Sequence, residues 1–276
     1  MMNFKYLKMR FDRFNKLVNL ETKNYLRYAI GEVLLVVIGI LVALQVNNWN
    51  EERKLKLSEK KVLLSFHEEV SKNLSTLKTS IEEKKTIIKI NKEILEKTSP
   101  NSKWESSVKL DSLMYYLSVS GWIYVADEGV LNELINSGQL NNLEDFEIKN
   151  MIASLPQQIN LITEEDRQYR DDLHQYFLPF LSKNYRLRNI TGYRELYSYN
   201  KSNLGFSKHG LNDKKILNSL EFENILTIQA IWIKFSIEMC ENLRLKYLRL
   251  QDLIIEKYPE VDFGNLSKDE EDSFWG

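Results

Sequence analysis

The sequence predicts an all-α protein, in which an N-terminal single transmembrane helix continues into a long helix of an elongated antiparallel helical bundle. Three observations support this prediction. Residues 29–46, AIGEVLLVVIGILVALQV, form one apolar run. Only 10 Gly and 4 Pro occur in 276 residues, which favours long helices over sheets and tight turns. Beyond the run, apolar residues recur at spacings of three and four, which place them on one helix face.

The first segment, residues 1–27, is predicted to be a cytoplasmic, basic amphipathic helix. Lys and Arg lie between apolar residues that are spaced by three and four positions, namely Phe4, Leu7, Phe11, Phe14 and Val18. Such a helix suits a leaflet of anionic lipid, where each Lys or Arg contributes about 1 kcal/mol. Docking on a cytoplasmic partner would use the same face, so this alternative stays open.

The second segment, residues 28–47, is predicted to cross the membrane. Glu32 and Gln45 are the only polar side chains in the apolar run. The run approaches the roughly 20 residues needed to cross a hydrocarbon core about 30 Å thick. Two alternatives were weighed: a helix buried in a protein core, and a signal peptide cleaved after Ala43. The long segment that precedes the run disfavours cleavage.

The distribution of basic residues predicts the orientation. Seven Lys or Arg precede the apolar run, at positions 5, 8, 10, 13, 16, 23 and 27, and five follow it closely, at 53, 54, 56, 60 and 61. Basic residues are enriched on the cytoplasmic side of membranes. We therefore expect a single-pass protein of the inner (cell) membrane, with a cytoplasmic N-terminus and residues 48–259 in the periplasm.

One face of the predicted transmembrane helix carries polar and small residues. Glu32, Gly39, Ala43, Asn47 and Asn50 recur at helical spacing, and Gly39-x-x-x-Ala43 would let another helix approach closely. We expect this stripe to face a partner helix, either a second copy or another membrane protein. The alternative for Glu32 is that it reaches the headgroups or is protonated.

The same region resembles a known family. The run KNYLRYAIGEVLLVVIGILVALQVNNWNEERK is similar to the N-terminal signature of a family of uncharacterised single-pass membrane proteins typical of Bacteroidota. A weaker likeness is LNELINSGQLNNLED, residues 131–145, which resembles a Leu-x-x-Ser-Gly-x-Leu segment of that family. The resemblance implies an inner-membrane location and a helical extracytoplasmic domain. It implies no particular activity, and no catalytic residue is carried over.

Residues 48–259 are predicted to form the bundle. A helix without breakers runs from Gln45 to about Lys97, with apolar a/d positions in which Lys84 and Asn91 fill two slots. Pro100 follows its end. The apolar positions of this seam are Leu63, Phe66, Val70, Leu74, Leu77, Ile81, Ile88 and Leu95.

Shorter helices are expected next. Asp111 is predicted to cap one that ends near Val119, and Asp127 another that ends at Asn136 before Gly138. The apolar residues 122–125 are read as a packed turn. Asn142 or Asp145 should begin a helix that runs to Leu181, with a kink at Pro156.

The remaining sequence is predicted to contain one more long helix. Residues 182–212 form the longest irregular stretch, and they are the part most expected to bind something. Ser219 then begins a helix that ends near Tyr258, and residues 260–276 form an acidic tail.

Residues suited to catalysis or metal binding are sparse. His67, predicted at an exposed helix position, and His209 have no motif around them. Asp171-x-x-His174 lies among acidic residues, but Arg167 and Arg170 suggest that these carboxylates, including Asp166, form a solvated salt-bridged face. Cys240 is predicted to be a small core residue. We therefore expect no enzyme, no cofactor, no metal and no nucleic acid.

Three functions follow, in decreasing order. The first is a membrane-anchored extracytoplasmic interaction or assembly protein, which a dry core and a bare apolar surface would favour. The second is a ligand-binding sensor bundle that signals through a partner membrane protein. A buried polar pocket lined by Trp122, Tyr124, Tyr169 or Trp232 would favour it. The third is an unrecognised enzyme.

Overall fold

The computed structural model describes residues 4–102, 107–190, 206–210 and 213–263. Side chains are described from residue 25 onwards in those ranges, except at 107, 213 and 214. Every regular element in these ranges is a helix, which confirms the all-α class. The chain divides into two units, residues 1–58 and 59–276. Most of the predicted irregular stretch and the tail beyond residue 263 lie outside the described residues.

Nine α-helices follow one another in the described ranges. A 3-10 turn, Gln139–Asn142, separates the third and fourth helices, and a π-helical turn, Leu173–Phe177, separates the fifth and sixth. The helices are α1 (Phe4–Leu95), α2 (Ser107–Ser118), α3 (Gly129–Asn136), α4 (Phe146–Ala153), α5 (Leu155–Asp172), α6 (Leu178–Asn184), α7 (Leu187–Ile190), α8 (Asp213–Leu217) and α9 (Leu220–Lys257).

The first unit consists of the N-terminal part of α1. Every described residue from 25 to 58 is exposed, including the aliphatic side chains of the apolar run. This helix is long and apolar enough to cross a membrane, since an 18-residue window has a mean hydropathy of 2.5 and none of it is buried. The alternative of a helix buried in a protein core is therefore wrong for the described residues.

The second unit has two clusters of buried apolar side chains. The first, here called the α3/α4 core, joins α3 and α4 to α1 residues 63–81, to the first half of α5 and to the second half of α9. The second, here called the α2/α6 core, joins α2 and α6 to α1 residues 87–94 and to the first half of α9. The largest side chains are Phe66 and Tyr247 in the α3/α4 core, and Phe177 and Phe222 in the α2/α6 core.

Several predicted helix ends are confirmed. The hydroxyl of Ser219 accepts a hydrogen bond from the backbone N–H of Phe222 at 3.3 Å, so Ser219 caps α9. Asp145 caps α4 in the same way, which decides between the two predicted starts. Gly138 follows α3 with φ of 77°, the left-handed conformation that glycine adopts without steric cost.

Two predicted caps are corrected. Asp111 does not begin a helix, because α2 starts at Ser107, and its buried carboxylate instead accepts a hydrogen bond from the Tyr185 hydroxyl at 2.6 Å. Asp127 accepts only the N–H of Gly129, at 3.3 Å. The next two N–H groups of α3 bind Glu69 of α1, so a distant carboxylate supplies most of this cap.

The single helix predicted to end at Leu181 is also wrong. It is divided at Ser154 into α4 and α5, and a π-helical turn separates α5 from α6. Pro156 lies in the first turn of α5, where its missing N–H removes no intrahelical hydrogen bond. Pro156 therefore begins a helix and does not kink one.

Candidate functional site

The residues of the predicted partner stripe are all exposed on the unit 1 helix. Glu32, Gly39, Ala43, Asn47 and Asn50 lie among the exposed residues 25–58. A Cβ added at Gly39 would meet no other atom within 4 Å. The described residues therefore leave this stripe uncovered, and a second helix could approach its backbone.

The second unit contains a buried group of charged and polar side chains, here called the polar layer. Its centre is an ion pair between Lys84 of α1 and Asp166 of α5, with 3.0 Å between Nζ and Oδ2. Lys84 is 12% exposed and Asp166 only 2%. The Lys84 ammonium also donates to the Ser80 hydroxyl at 2.8 Å and lies 3.7 Å from the Cys240 sulfur.

Asp166 connects four segments of the chain. Besides Lys84, its carboxylate accepts hydrogen bonds from the Ser236 hydroxyl of α9 at 2.5 Å and from the backbone N–H of Tyr124 at 2.8 Å. Tyr124 belongs to the irregular segment between α2 and α3. A buried carboxylate with three donors is well compensated, whereas removal of one charge from such a pair leaves the other uncompensated.

The polar layer lies between the two cores. On each of α1, α5 and α9 it interrupts an apolar face with one polar residue. The flanking residues are Ile81 and Ile87 around Lys84, Ile162 and Tyr169 around Asp166, and Ile233 and Cys240 around Ser236. The layer therefore sets which residues of these three helices face one another.

Cys240 is fully buried beside the polar layer, which confirms the prediction of a core residue. Burial raises the pKa of the Cys240 thiol, and the nearby Lys84 ammonium offsets part of this rise. Reactive cysteines need a lowered pKa and access to solvent. The surroundings of Cys240 therefore favour an inert thiol over a nucleophile.

A small cavity adjoins the polar layer. Its volume is about 20 Å³, whereas one water molecule needs about 10–15 Å³ and a drug-sized ligand about 300–1,000 Å³. Trp122, Tyr169, Lys84 and Asp166 are among its lining residues, and the Tyr169 hydroxyl lies 2.5 Å from the Ser120 hydroxyl. The cavity thus has the predicted aromatic and polar lining, but room for about one water molecule.

A second polar group lies within the α2/α6 core. Asn91 of α1 and Gln229 of α9 are completely buried, and neither side-chain amide has a hydrogen-bond partner among the described residues. Each lies seven residues from a member of the polar layer on the same helix, Lys84 or Ser236. Burial raises the pKa of nearby Asp172, and the Gln229 amide offsets part of that rise.

A surface groove runs between α1 and α9 within the second unit. Its volume is about 540 Å³. The apolar lining residues are Leu74, Ile81 and Leu248, and the charged ones are Lys78, Glu82, Lys85, Glu241 and Arg244. Arg244 binds Glu241 at 2.6 Å, and Lys85 lies 3.4 Å from the same carboxylate. These cations lower the pKa of Glu241.

Two of the residues singled out in the sequence lie elsewhere than predicted. His67 is buried, not exposed, because its ring packs on Phe263 with 4.5 Å between ring centroids. Burial lowers the pKa of His67. Asp166 belongs to the polar layer and not to a solvated face, and Arg167 pairs with Glu164 at 2.6 Å instead.

The other histidines are exposed, at positions 174 and 209. No group of three or more His, Cys, Asp or Glu side chains suited to a metal ion occurs in the described part of the chain.

The residues that sequence reasoning missed had a detectable signal. Asp166 continues the spacing of Ile159, Ile162 and Tyr169, which all face the core. An acidic residue in an apolar stripe of one helix, together with Lys84 in that of another, indicates a buried ion pair. Which helices pair cannot be derived from either stripe alone.

No protein-family model matches the chain, and searches of curated proteins and of solved structures found no significant similarity. Its function must therefore be argued from the residues and the geometry described above.

Proposed function

We propose that the chain is a membrane-anchored interaction or assembly protein. Residues 28–47 cross the inner membrane once, residues 1–27 lie in the cytoplasm, and residues 48–259 form an elongated antiparallel helical bundle in the periplasm. The observation that carries the proposal is the apolar run of unit 1, whose described side chains are all exposed. An exposed apolar surface of this extent marks contact with lipid or with another protein.

The orientation and the family remain parts of the same proposal. The excess of Lys and Arg before the run supports a cytoplasmic N-terminus. Membership of the Bacteroidota family rests on the resemblance in and around residues 28–51. A signal peptide would share the length and hydropathy of this helix, so the size of the mature chain is the first quantity to measure.

The partner surface in the membrane is assigned to the stripe of Glu32, Gly39, Ala43, Asn47 and Asn50. Its support is the uncovered backbone at Gly39 and the polar side chains that could form hydrogen bonds across a helix pair. The partner is a second copy of the chain or another single helix. The small interior cavity of unit 2 favours this interaction role over a sensor with a ligand inside the bundle.

The test is gentle solubilisation of the tagged full-length chain, followed by intact mass, native mass and identification of co-purifying proteins. We expect an uncleaved chain, extracted only with detergent, in a stoichiometric complex. Gly39→Ile should dissociate that complex, whereas Val37→Ile, on the opposite side of the helix, should not. A cleaved or carbonate-soluble chain would refute the anchor, and a monomer without partners would refute the assembly role.

A sensor function is the second candidate, because the cavity beside the polar layer has the aromatic and charged lining that such a site requires. Ligand entry would have to open the cavity many times beyond its present volume. The test is a thermal-shift screen of small polar compounds on the full-length chain. A hit that is lost with Trp122→Ala but kept with Trp232→Ala would favour the sensor.

A further inference from the structure

The groove between α1 and α9 continues a line of residues that begins near the end of the described chain. On α1, His67, Leu74, Lys78, Ile81 and Lys85 are separated by seven, four, three and four positions, so they lie along one face. The last four line the groove, and His67 lies below it on the same face. A segment that followed this face from His67 would enter the groove.

The chain after α9 travels in that direction. Once α9 ends at Lys257, the Tyr258 ring lies 5.5 Å from the Lys60 ammonium, and Glu260 forms an ion pair with Lys60. Three residues later, Phe263 packs on His67. Between residues 260 and 263 the chain therefore advances along α1 from the level of Lys60 to that of His67, towards the groove.

The segment that follows has the required length. Residues 264–276 could span at most about 45 Å. On α1, Lys78 lies eleven positions beyond His67 and Lys85 eighteen positions, which correspond to about 16 and 27 Å. Asp269 and Asp272 follow Phe263 by six and nine positions, or about 20 and 30 Å when extended. The acidic run can thus reach the level of both lysines.

The charge and polarity of this segment also match the groove. It contains four acidic residues in succession, 269–272, against one basic residue, Lys268. In the groove, Lys78 forms no ion pair with any side chain that the structure describes, whereas Lys85 and Arg244 share Glu241. The apolar floor of Leu74 and Ile81 lies at the level that Leu266 would reach.

We propose that residues 264–276 dock in this groove of their own chain, with the acidic run beside Lys78 and Lys85 and Leu266 on the apolar floor. The groove is then an acceptor for an acidic peptide segment, and the C-terminal segment is its built-in occupant. This inference concerns the second unit alone and does not depend on the proposed membrane function.

The test is disulfide trapping in the full-length chain in detergent, with two conservative substitutions. Ser75→Cys lies in the groove and Ser267→Cys in the tail, each about 12–13 Å past the His67–Phe263 contact. The matched control is Thr76→Cys with Ser267→Cys, because Thr76 is exposed at the same level but on the opposite face of α1. Cys240 stays in place, since it is fully buried.

We expect oxidised glutathione to close the Ser75→Cys pair within one chain about ten times faster than the control pair, because docking raises the effective concentration of the two thiols. Equal rates would mean that the tail only reaches the groove, and absence of both disulfides would mean that it lies elsewhere. A disulfide between two chains would assign the groove to a second copy. Each of these three outcomes overturns the proposal.

A charge reversal tests the electrostatic part. Lys78→Glu in the trapping variant should slow closure about ten-fold, and 1 M salt should act in the same direction, because it shortens the Debye length to about 3 Å. Lys61→Glu is the control, since Lys61 is an exposed lysine on another face of α1. Unchanged closure with Lys78→Glu would refute the pairing of the acidic run with Lys78.

Discussion

The two cores of the second unit differ in how they use an asparagine from the same helix. In the α3/α4 core, the buried Asn73 side chain donates to the backbone carbonyl of Asp127 at 2.7 Å and accepts from its N–H at 2.8 Å. In the α2/α6 core, Asn91 is equally buried but has no hydrogen-bond partner among the described residues. A buried amide stabilises a fold only where a partner is present.

The comparison extends to the charged residues. Glu69, near Asn73, binds two N–H groups at the start of α3, at 2.5 and 3.0 Å. Asp172 in the other core has one carboxylate oxygen without a partner among the described residues. Polar residues therefore position the backbone of the α3/α4 core, whereas those of the α2/α6 core cost stability. The polar layer between them joins the two.

The largest expected effect comes from breaking that layer. Asp166→Ala would leave Lys84 as an uncompensated buried charge and remove the acceptor of Ser236 and of the Tyr124 N–H. We expect the free energy of unfolding to fall by about 3–5 kcal/mol. Urea unfolding of the full-length chain in detergent, followed by helical circular dichroism, measures this change.

A neighbouring carboxylate on α5 is the matched control. Glu164 pairs with Arg167, but its side chain is about half exposed. Glu164→Ala should change stability by no more than about 0.5 kcal/mol. Equal effects of the two alanine variants would show that Asp166 does not join the cores.

The next effect distinguishes the two cores by one substitution at two positions. Asn73→Leu removes the partner of both backbone groups of Asp127, so we expect a loss of about 2–3 kcal/mol. Hydrogen exchange should also show lost protection of the first amides of α3. If α3 kept its protection, Asn73 would not be what positions this segment.

Asn91→Leu should have the opposite sign. It replaces an amide without a partner by an apolar side chain of similar size, so we expect a gain of about 1 kcal/mol in the free energy of unfolding. The same urea titration compares the two variants directly. A loss at both positions would mean that Asn91 has a partner, such as an ordered water, and would remove the contrast between the cores.

The sequence predicted the parts of the fold that depend on local pattern. The α9 helix and its cap at Ser219 follow from a long stretch without breakers after a capping residue. The turn at Gly138 follows from the rarity of left-handed backbone at other residues. Asp111 was assigned wrongly because a capping carboxylate and a buried acceptor have the same local pattern. Its partner, Tyr185, is 74 residues away.

The candidate sites depend on contacts between distant segments, and the sequence predicted them only in part. Lys84 and Asn91 were recognised as polar residues in an apolar seam, yet their opposite fates depend on what α5 and α9 place beside them. The groove was not anticipated, because its lining comes from two helices about 160 residues apart. Helix periodicity shows which face is buried but not which helix covers it.

The smallest expected effect is a pH dependence confined to the α2/α6 core. Burial raises the pKa of Asp172 above its ordinary value of 3.8, so the folded chain binds this proton more tightly than the unfolded chain. The resulting stabilisation is complete below pH 3.8 and is lost as the pH rises through the folded-state pKa. At pH 7 the ionised carboxylate therefore lowers stability.

Asp172→Asn should remove this dependence. We expect the variant to be more stable than the parent at pH 7, with a difference that shrinks as the pH is lowered towards 4. Asp171→Asn, which removes the adjacent and less buried carboxylate, controls for the loss of one charge. Urea unfolding at a series of pH values gives the three curves. Parallel curves for the parent and Asp172→Asn would mean that Asp172 has a partner at every pH, and the α2/α6 core would then resemble the α3/α4 core in satisfying its buried carboxylates.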